Sequence, residues 1–117
     1  MRALAIAPMM LLAAAGSGAI NLNGGTLILT GANTYGNTVN NAGTLQIGNN
    51  GTTGSLGTGT VTNNGTLSFH RTDTSTFSNT MTGTGALVVA RGGTLTLASG
   101  ANVTQNGLSL GDGSATG

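Results

Sequence analysis

The chain has no cysteine, lysine, glutamate or tryptophan, and only one proline, one tyrosine and two phenylalanines among 117 residues. The missing cysteine excludes disulfides and thiolate metal sites, and is compatible with an oxidising compartment without demonstrating one. Lysine and glutamate are the usual residues of exposed helix surfaces, so their absence leaves almost no helix to expect. Three arginines against two aspartates give a net charge of +1, which offers nucleic acid or an anionic membrane surface no electrostatic footing. The same near-neutrality separates the chain from disordered proteins, which depend on high net charge to stay expanded. Its length allows one domain at most.

What is abundant is glycine, 22 residues of it, with threonine, asparagine and serine, a composition suited to a chain that turns every few residues. The triplet Gly-Thr-Leu occurs at Gly25-Thr26-Leu27, Gly43-Thr44-Leu45, Gly65-Thr66-Leu67 and Gly93-Thr94-Leu95, with a variant at Gly85-Ala86-Leu87. After each leucine comes a second apolar residue two positions on: Leu29, Ile47, Phe69, Leu97 and Val89. Residues two apart share one face of a strand, so each pair marks a short strand with one buried side. The leucines fall 18, 22 and 20 residues apart from Leu27 to Leu87, and Leu108 follows 21 later.

A period near 20 is about one coil of a solenoid. The sequence therefore predicts an all-β fold, a parallel β-helix (β-solenoid) of about five coils of roughly 20 residues. Stacking at about 4.8 Å turns the inward pairs into continuous apolar columns. Leu95 lies only 8 residues after Leu87, so it marks a second strand within one coil, for which Val39, Val61 and either Phe77 or Met81 are the candidates elsewhere. Ile20 and Leu22 precede the Gly24-Gly25 corner and Leu27 and Leu29 follow it, two strands around a bend.

Residues 1–19 differ from the rest. Arg2 precedes an apolar run from Ala3 to Ala15, and small residues follow at Gly16, Ser17, Gly18 and Ala19. Two readings stand: a secretory signal peptide or a degenerate N-terminal coil. The run is too short to span a bilayer, which takes about 20 apolar residues. Residues 20–117 form the solenoid proper.

Within them, Leu27-Ile28-Leu29-Thr30-Gly31-Ala32-Asn33-Thr34-Tyr35, followed by Thr38-Val39 and Gly43-Thr44-Leu45, resembles the autotransporter-associated β-strand repeat of bacterial type V secreted proteins. Gly54-Ser55-Leu56-Gly57-Thr58-Gly59-Thr60-Val61-Thr62 and Gly83-Thr84-Gly85-Ala86-Leu87 are similar to linking phrases of the same passengers. The turn after Tyr35 departs from the pattern, with one residue fewer before its glycine. The resemblance implies a right-handed parallel β-helix, exported to the cell surface as part of a passenger and attached to the outer membrane through a C-terminal β-barrel translocator. Barrel strands need aromatic girdles, and a chain with so few aromatics cannot supply them. The chain is therefore expected to be a piece of a longer protein, whose partners are the adjacent passenger coils and the missing barrel.

Three stretches could carry chemistry. Ser68-Phe69-His70-Arg71-Thr72-Asp73-Thr74-Ser75 holds the only histidine with a serine and an aspartate, the residue types of a hydrolase triad. With Leu67 and Phe69 inward, Ser68 and His70 should face solvent, and residues 70–75 should form a solvated loop breaking the coil before Phe77. Gly111-Asp112-Gly113 resembles one fragment of the glycine- and aspartate-rich calcium repeats, but one carboxylate does not surround an ion, and the triplet reads as a turn. Gly57-Thr58-Gly59 lacks the lysine and helix start of a phosphate loop.

Thr26, Thr44, Thr66 and Thr94 each precede a core leucine and should stack as an outward ladder. Such arrays serve ice-binding solenoids, though coil lengths of 18, 22 and 20 argue against a flat lattice match. The expectation is a non-enzymatic stalk or adhesin-like scaffold with no catalytic, cofactor or metal residues, no small-molecule substrate and no nucleic-acid partner. A Thr-rich binding module, or the scaffold of a larger secreted protein with its enzyme domain elsewhere, is the alternative.

Overall fold

In the computed structural model the described residues are 9–11, 18–90, 92–110 and 114–116. Most of the proposed signal peptide, Arg91 and Gly111-Asp112-Gly113 lie outside them. Fourteen strands and no helix occur among the described residues: β1 (Met9–Leu11), β2 (Ile20–Leu22), β3 (Thr26–Leu29), β4 (Thr38–Asn40), β5 (Thr44–Gly51), β6 (Val61–Asn63), β7 (Thr66–Arg71), β8 (Thr74–Phe77), β9 (Thr80–Thr82), β10 (Ala86–Val89), β11 (Thr94–Leu97), β12 (Asn102–Val103), β13 (Gly107–Leu110) and β14 (Ser114–Thr116). All pairings are parallel, and they build three sheets, β1-β3-β5-β7-β10-β13, β2-β4-β6-β9-β12 and β8-β11-β14.

The chain is thus a β-solenoid. Four successive pairings lead from β2 to β12, so there are about four turns rather than five coils. Counting apolar pairs counts rungs, and the five rungs from Leu27 to Leu108 enclose four turns.

The register follows the triplets. Leu27, Leu45, Leu67, Leu87 and Leu108 stand one above another, and Leu29, Ile47, Phe69, Val89 and Leu110 form the neighbouring file. From Leu27 to Leu87 and from Leu29 to Val89 both files are buried. Unequal coil lengths are taken up outside the paired segments. Leu45 and Leu67 are 22 residues apart, yet Gly51 and Arg71, beyond a bulge in β5, are only 20 apart. Gly48 (φ 84°) and Asn50 (φ 63°) supply the left-handed backbone that the bulge requires.

The glycine of each triplet is explained by proximity. Gly43, Gly65 and Gly85 stack at the corner before the leucine sheet, and a Cβ on Gly65 or Gly85 would strike the carbonyl oxygen of the glycine below. The coils can close to ladder spacing there only because no side chain intervenes.

Several expectations require correction. The second strands do not form one set. Val61 and Met81 are aligned in the sheet β2-β4-β6-β9-β12, whereas Leu95 and Phe77 belong to a third wall, β8-β11-β14. Val39 is aligned with Thr62 and half-buried, while Thr38 and Asn40 on either side of it point inward. Burial of Thr38 is possible because the Tyr35 hydroxyl meets its Oγ1 at 2.9 Å, which satisfies the polar groups of both. The threonine ladder holds for Thr26, Thr44 and Thr66 but continues into Ala86; Thr94 pairs with Thr74 on the third wall. β1 pairs with β3 with the 18-residue offset seen between Leu27 and Leu45, so residues 9–11 form a rung.

Candidate functional site

An asparagine stack runs inside the solenoid. Asn40 and Asn63 are aligned and fully buried. Asn40 Nδ2 donates to Asn63 Oδ1 at 2.9 Å, and Asn63 Nδ2 donates to Gln105 Oε1 at 2.6 Å and to the Ala86 carbonyl at 2.9 Å. Gly83 occupies the rung between Asn63 and Gln105, and the longer glutamine side chain spans it. The stack ends below at Leu22, which is aligned with Asn40, and Asn40 Oδ1 has no partner among the described residues. Amides can be buried in this way because each rung presents the acceptor that the next donor needs.

Asparagines also clip the corners. Asn33 donates from Nδ2 to the carbonyls of Gly31 (3.0 Å) and Ser55 (2.7 Å), and its backbone N–H donates to Ser55 Oγ at 2.9 Å. Asn79 Nδ2 donates to the carbonyls of Gly57 (2.9 Å) and Gly59 (2.7 Å) one coil below. Tyr35 is enclosed in the core, and burial raises its phenol pKa despite the bond to Thr38.

The segment 68–75 is not a solvated loop. β7 continues to Arg71, Thr72 and Asp73 turn, and β8 starts at Thr74. Ser68 faces outward as the strand phase demands, yet it is only 4% exposed. It is aligned between Gln46 and Val88, whose longer side chains overtop a hydroxymethyl group. His70 is half-buried, and desolvation lowers its pKa. Arg71 grips Asp73 with two bonds, Nε to Oδ1 at 2.9 Å and Nη2 to Oδ2 at 2.8 Å, while Nη1 donates to the Gly54 carbonyl at 3.0 Å. That grip holds the Asp73 carboxyl below its ordinary range. Both of its oxygens are thereby turned to Arg71 and not to His70.

Beside this corner is a cavity of about 200 Å³. It lies between residues 54–58 of one coil and residues 75–79 of the next, with Phe69, Phe77 and Arg71 in its lining. The two phenylalanine rings meet edge to face, centroids 6.1 Å apart at 80°. No group of three histidine, aspartate or glutamate residues that could hold a metal ion occurs among the described residues.

Fold and interior define a β-solenoid repeat protein with amide-clipped corners. No family model, curated protein or solved structure matches the chain.

Proposed function

We propose that the chain is a structural repeat segment of a surface-exposed autotransporter passenger, a non-enzymatic stalk or adhesin-like scaffold whose coils continue into neighbouring passenger coils. The observation that carries this reading is the use made of the Thr30–Tyr35 phrase. Asn33 ties its corner to the coil above through Ser55, and Tyr35 fills the core beside Thr38. A motif whose side chains hold one coil to the next is what a long stacked passenger would repeat. On this reading the protein is exported and reaches the outer membrane through a barrel domain encoded elsewhere in the protein, and outward side chains make any adhesive contact.

The test is the mass and location of the native product in fractionated cells, detected with an antibody against residues 71–79. A large surface-associated species is expected. A product near the 11.3 kDa of this chain confined to the cytoplasm would refute the reading.

A second reading, a threonine-lined binding module of the ice-binding type, is favoured by one observation. Thr60, Thr62, Thr80, Thr82 and Thr104 share the outward face of the sheet β2-β4-β6-β9-β12. Because coil-length differences are absorbed outside the paired segments, the irregular period does not disturb this array. Thermal hysteresis by the purified chain, abolished in Thr82→Tyr, is the expected sign; its absence removes the reading.

A further inference from the structure

The third wall starts abruptly. β8 pairs with β11 above it, and no strand pairs with its lower edge among the described residues. The Asp73 and Phe77 carbonyls accept from the Thr94 and Ala98 N–H groups of the coil above. Backbone groups alternate in direction along a strand, so the N–H and C=O of Thr74 and Thr76 point down, away from β11. None of these four groups has a backbone partner among the described residues.

What lies below is a gap with a specific origin. The two coils run together as far as Gly51 and Thr72, where the Thr72 N–H donates to the Gly51 carbonyl at 2.9 Å. They meet again at Gly57–Gly59 and Asn79. In between, the Arg71 side chain still reaches the Gly54 carbonyl at 3.0 Å, but beyond it the lower chain is drawn toward the coil beneath: the Ser55 N–H donates to the Gly31 carbonyl at 3.1 Å, and Asn33 holds Ser55 by two more bonds. The 200 Å³ cavity is the space this divergence opens. Its inner wall is apolar where Phe69, Phe77 and Leu56 reach it, and Ser75, aligned with Leu95 one coil above, is too small to fill it.

We propose that the lower edge of β8 is a peptide-binding site that accepts an extended segment of another protein as an added parallel strand, with an apolar side chain inserted toward Phe69 and Phe77. The occupant's chemistry is set by the ladder that it would continue. β11, the strand that already pairs with β8, alternates Thr94, Leu95, Thr96 and Leu97, with Leu95 buried and both threonines facing out. A peptide with apolar residues two apart and small polar residues between them reproduces that rung. Main-chain bonds to Thr74 and Thr76 supply register and the buried side chain supplies selectivity, as in strand addition generally. The Arg71–Asp73 pair closes one end of the slot and leaves no unpaired charge there, so charged side chains are excluded from the inward positions. The site stands independently of export or a passenger role.

The test uses the synthetic octapeptide of residues 92–99, Gly-Gly-Thr-Leu-Thr-Leu-Ala-Ser, titrated into the full chain and followed by amide chemical shifts. Shifts centred on residues 54–58 and 74–79 are expected, and the same peptide with aspartate in place of both leucines should not bind. Thr76→Pro removes one downward N–H without touching the bonds to β11, because proline is tolerated on strand edges; binding should weaken about tenfold. Ser75→Leu fills the cavity from above and should also abolish binding, which keeps the proposal testable if the proline variant does not fold. Absence of binding by the native chain, or equal binding by Ser75→Leu, overturns it. The native chain should remain monomeric at the titration concentration; self-association that is lost in Thr76→Pro, with or without peptide binding, would assign the edge to a second copy and equally overturn it.

Discussion

Replacing Asn63 with alanine removes the centre of the buried amide stack. Three side-chain hydrogen bonds disappear, one accepted from Asn40 and two donated, to Ala86 and Gln105. A net value of about 1 kcal/mol for each predicts a loss of about 3 kcal/mol, roughly a hundredfold in the folding equilibrium. The assay is urea unfolding followed by far-ultraviolet circular dichroism. Leucine at the same position is informative, because Leu22 already occupies this file below Asn40. Its added apolar burial, about 1.5 to 3 kcal/mol, should recover part of the loss. A double-mutant cycle with Asn40→Ala should give a coupling of about 1 kcal/mol. A loss below about 0.5 kcal/mol in Asn63→Ala, the range of surface substitutions, together with zero coupling, would refute the claim that the stack holds the coils together.

Further expectations come from the same register. Leu67→Asp places a carboxylate at a position that is 1% exposed, and should abolish cooperative folding, whereas His70→Ala should leave the melting curve nearly unchanged at neutral pH; equal tolerance would overturn the strand phase of β7. Gly65→Ala should destabilise strongly, since the new methyl group meets the Gly43 carbonyl, and a melt matching the native one would disprove the close approach. Acidification should act in two windows. His70 has a lowered pKa, so the unfolded chain takes up its proton first and stability should start to fall below about pH 6.5, an effect absent in His70→Ala. Asp73, also lowered, contributes above its unfolded value of 3.8 and loses that contribution as pH falls through the folded value; Asp73→Asn should remove the second window alone, as urea titrations across pH would record.

The apolar files were legible because a period of two within each strand and near 20 between strands leaves few registers that bury every leucine. Leu27, Leu45, Leu67, Leu87 and Leu108 align as their spacing demands, and the bend at Gly24-Gly25 lies between β2 and β3. The polar interior was not legible by the same means. Hydrophobic alternation assigns Val39 to the core, yet Thr38 and Asn40 occupy it, because buried polar groups become acceptable once stacking supplies their partners. A clue was present in Asn40 and Asn63, which lie three and two residues before the glycine of a Gly-Thr-Leu triplet. The third wall was half visible in Leu95, but separating Phe77 from Met81 requires knowing that Thr72 and Asp73 make a corner. The cavity beneath β8 had no local signature at all, since it depends on a clip between Asn33 and Ser55, 22 residues apart.

Because the backbone of each rung pairs only with the rungs directly above and below it, with the Asn63–Gln105 bond reaching one rung further, the step from unfolded to folded is nearly the same at every stage of growth: close a loop of about 20 residues onto an edge that already exists. That closure cost barely changes from one rung to the next, and the existing edge acts as a template for the arriving strand. A chain that emerges gradually, from a ribosome or through any narrow pore, can therefore crystallise rung by rung behind its leading end and never needs its two ends present together. The same geometry makes loss directional. Under tension or mild denaturant the structure should peel from whichever end is uncovered, one coil at a time, so the half-life of an interior rung is set by how many coils lie between it and the nearest end.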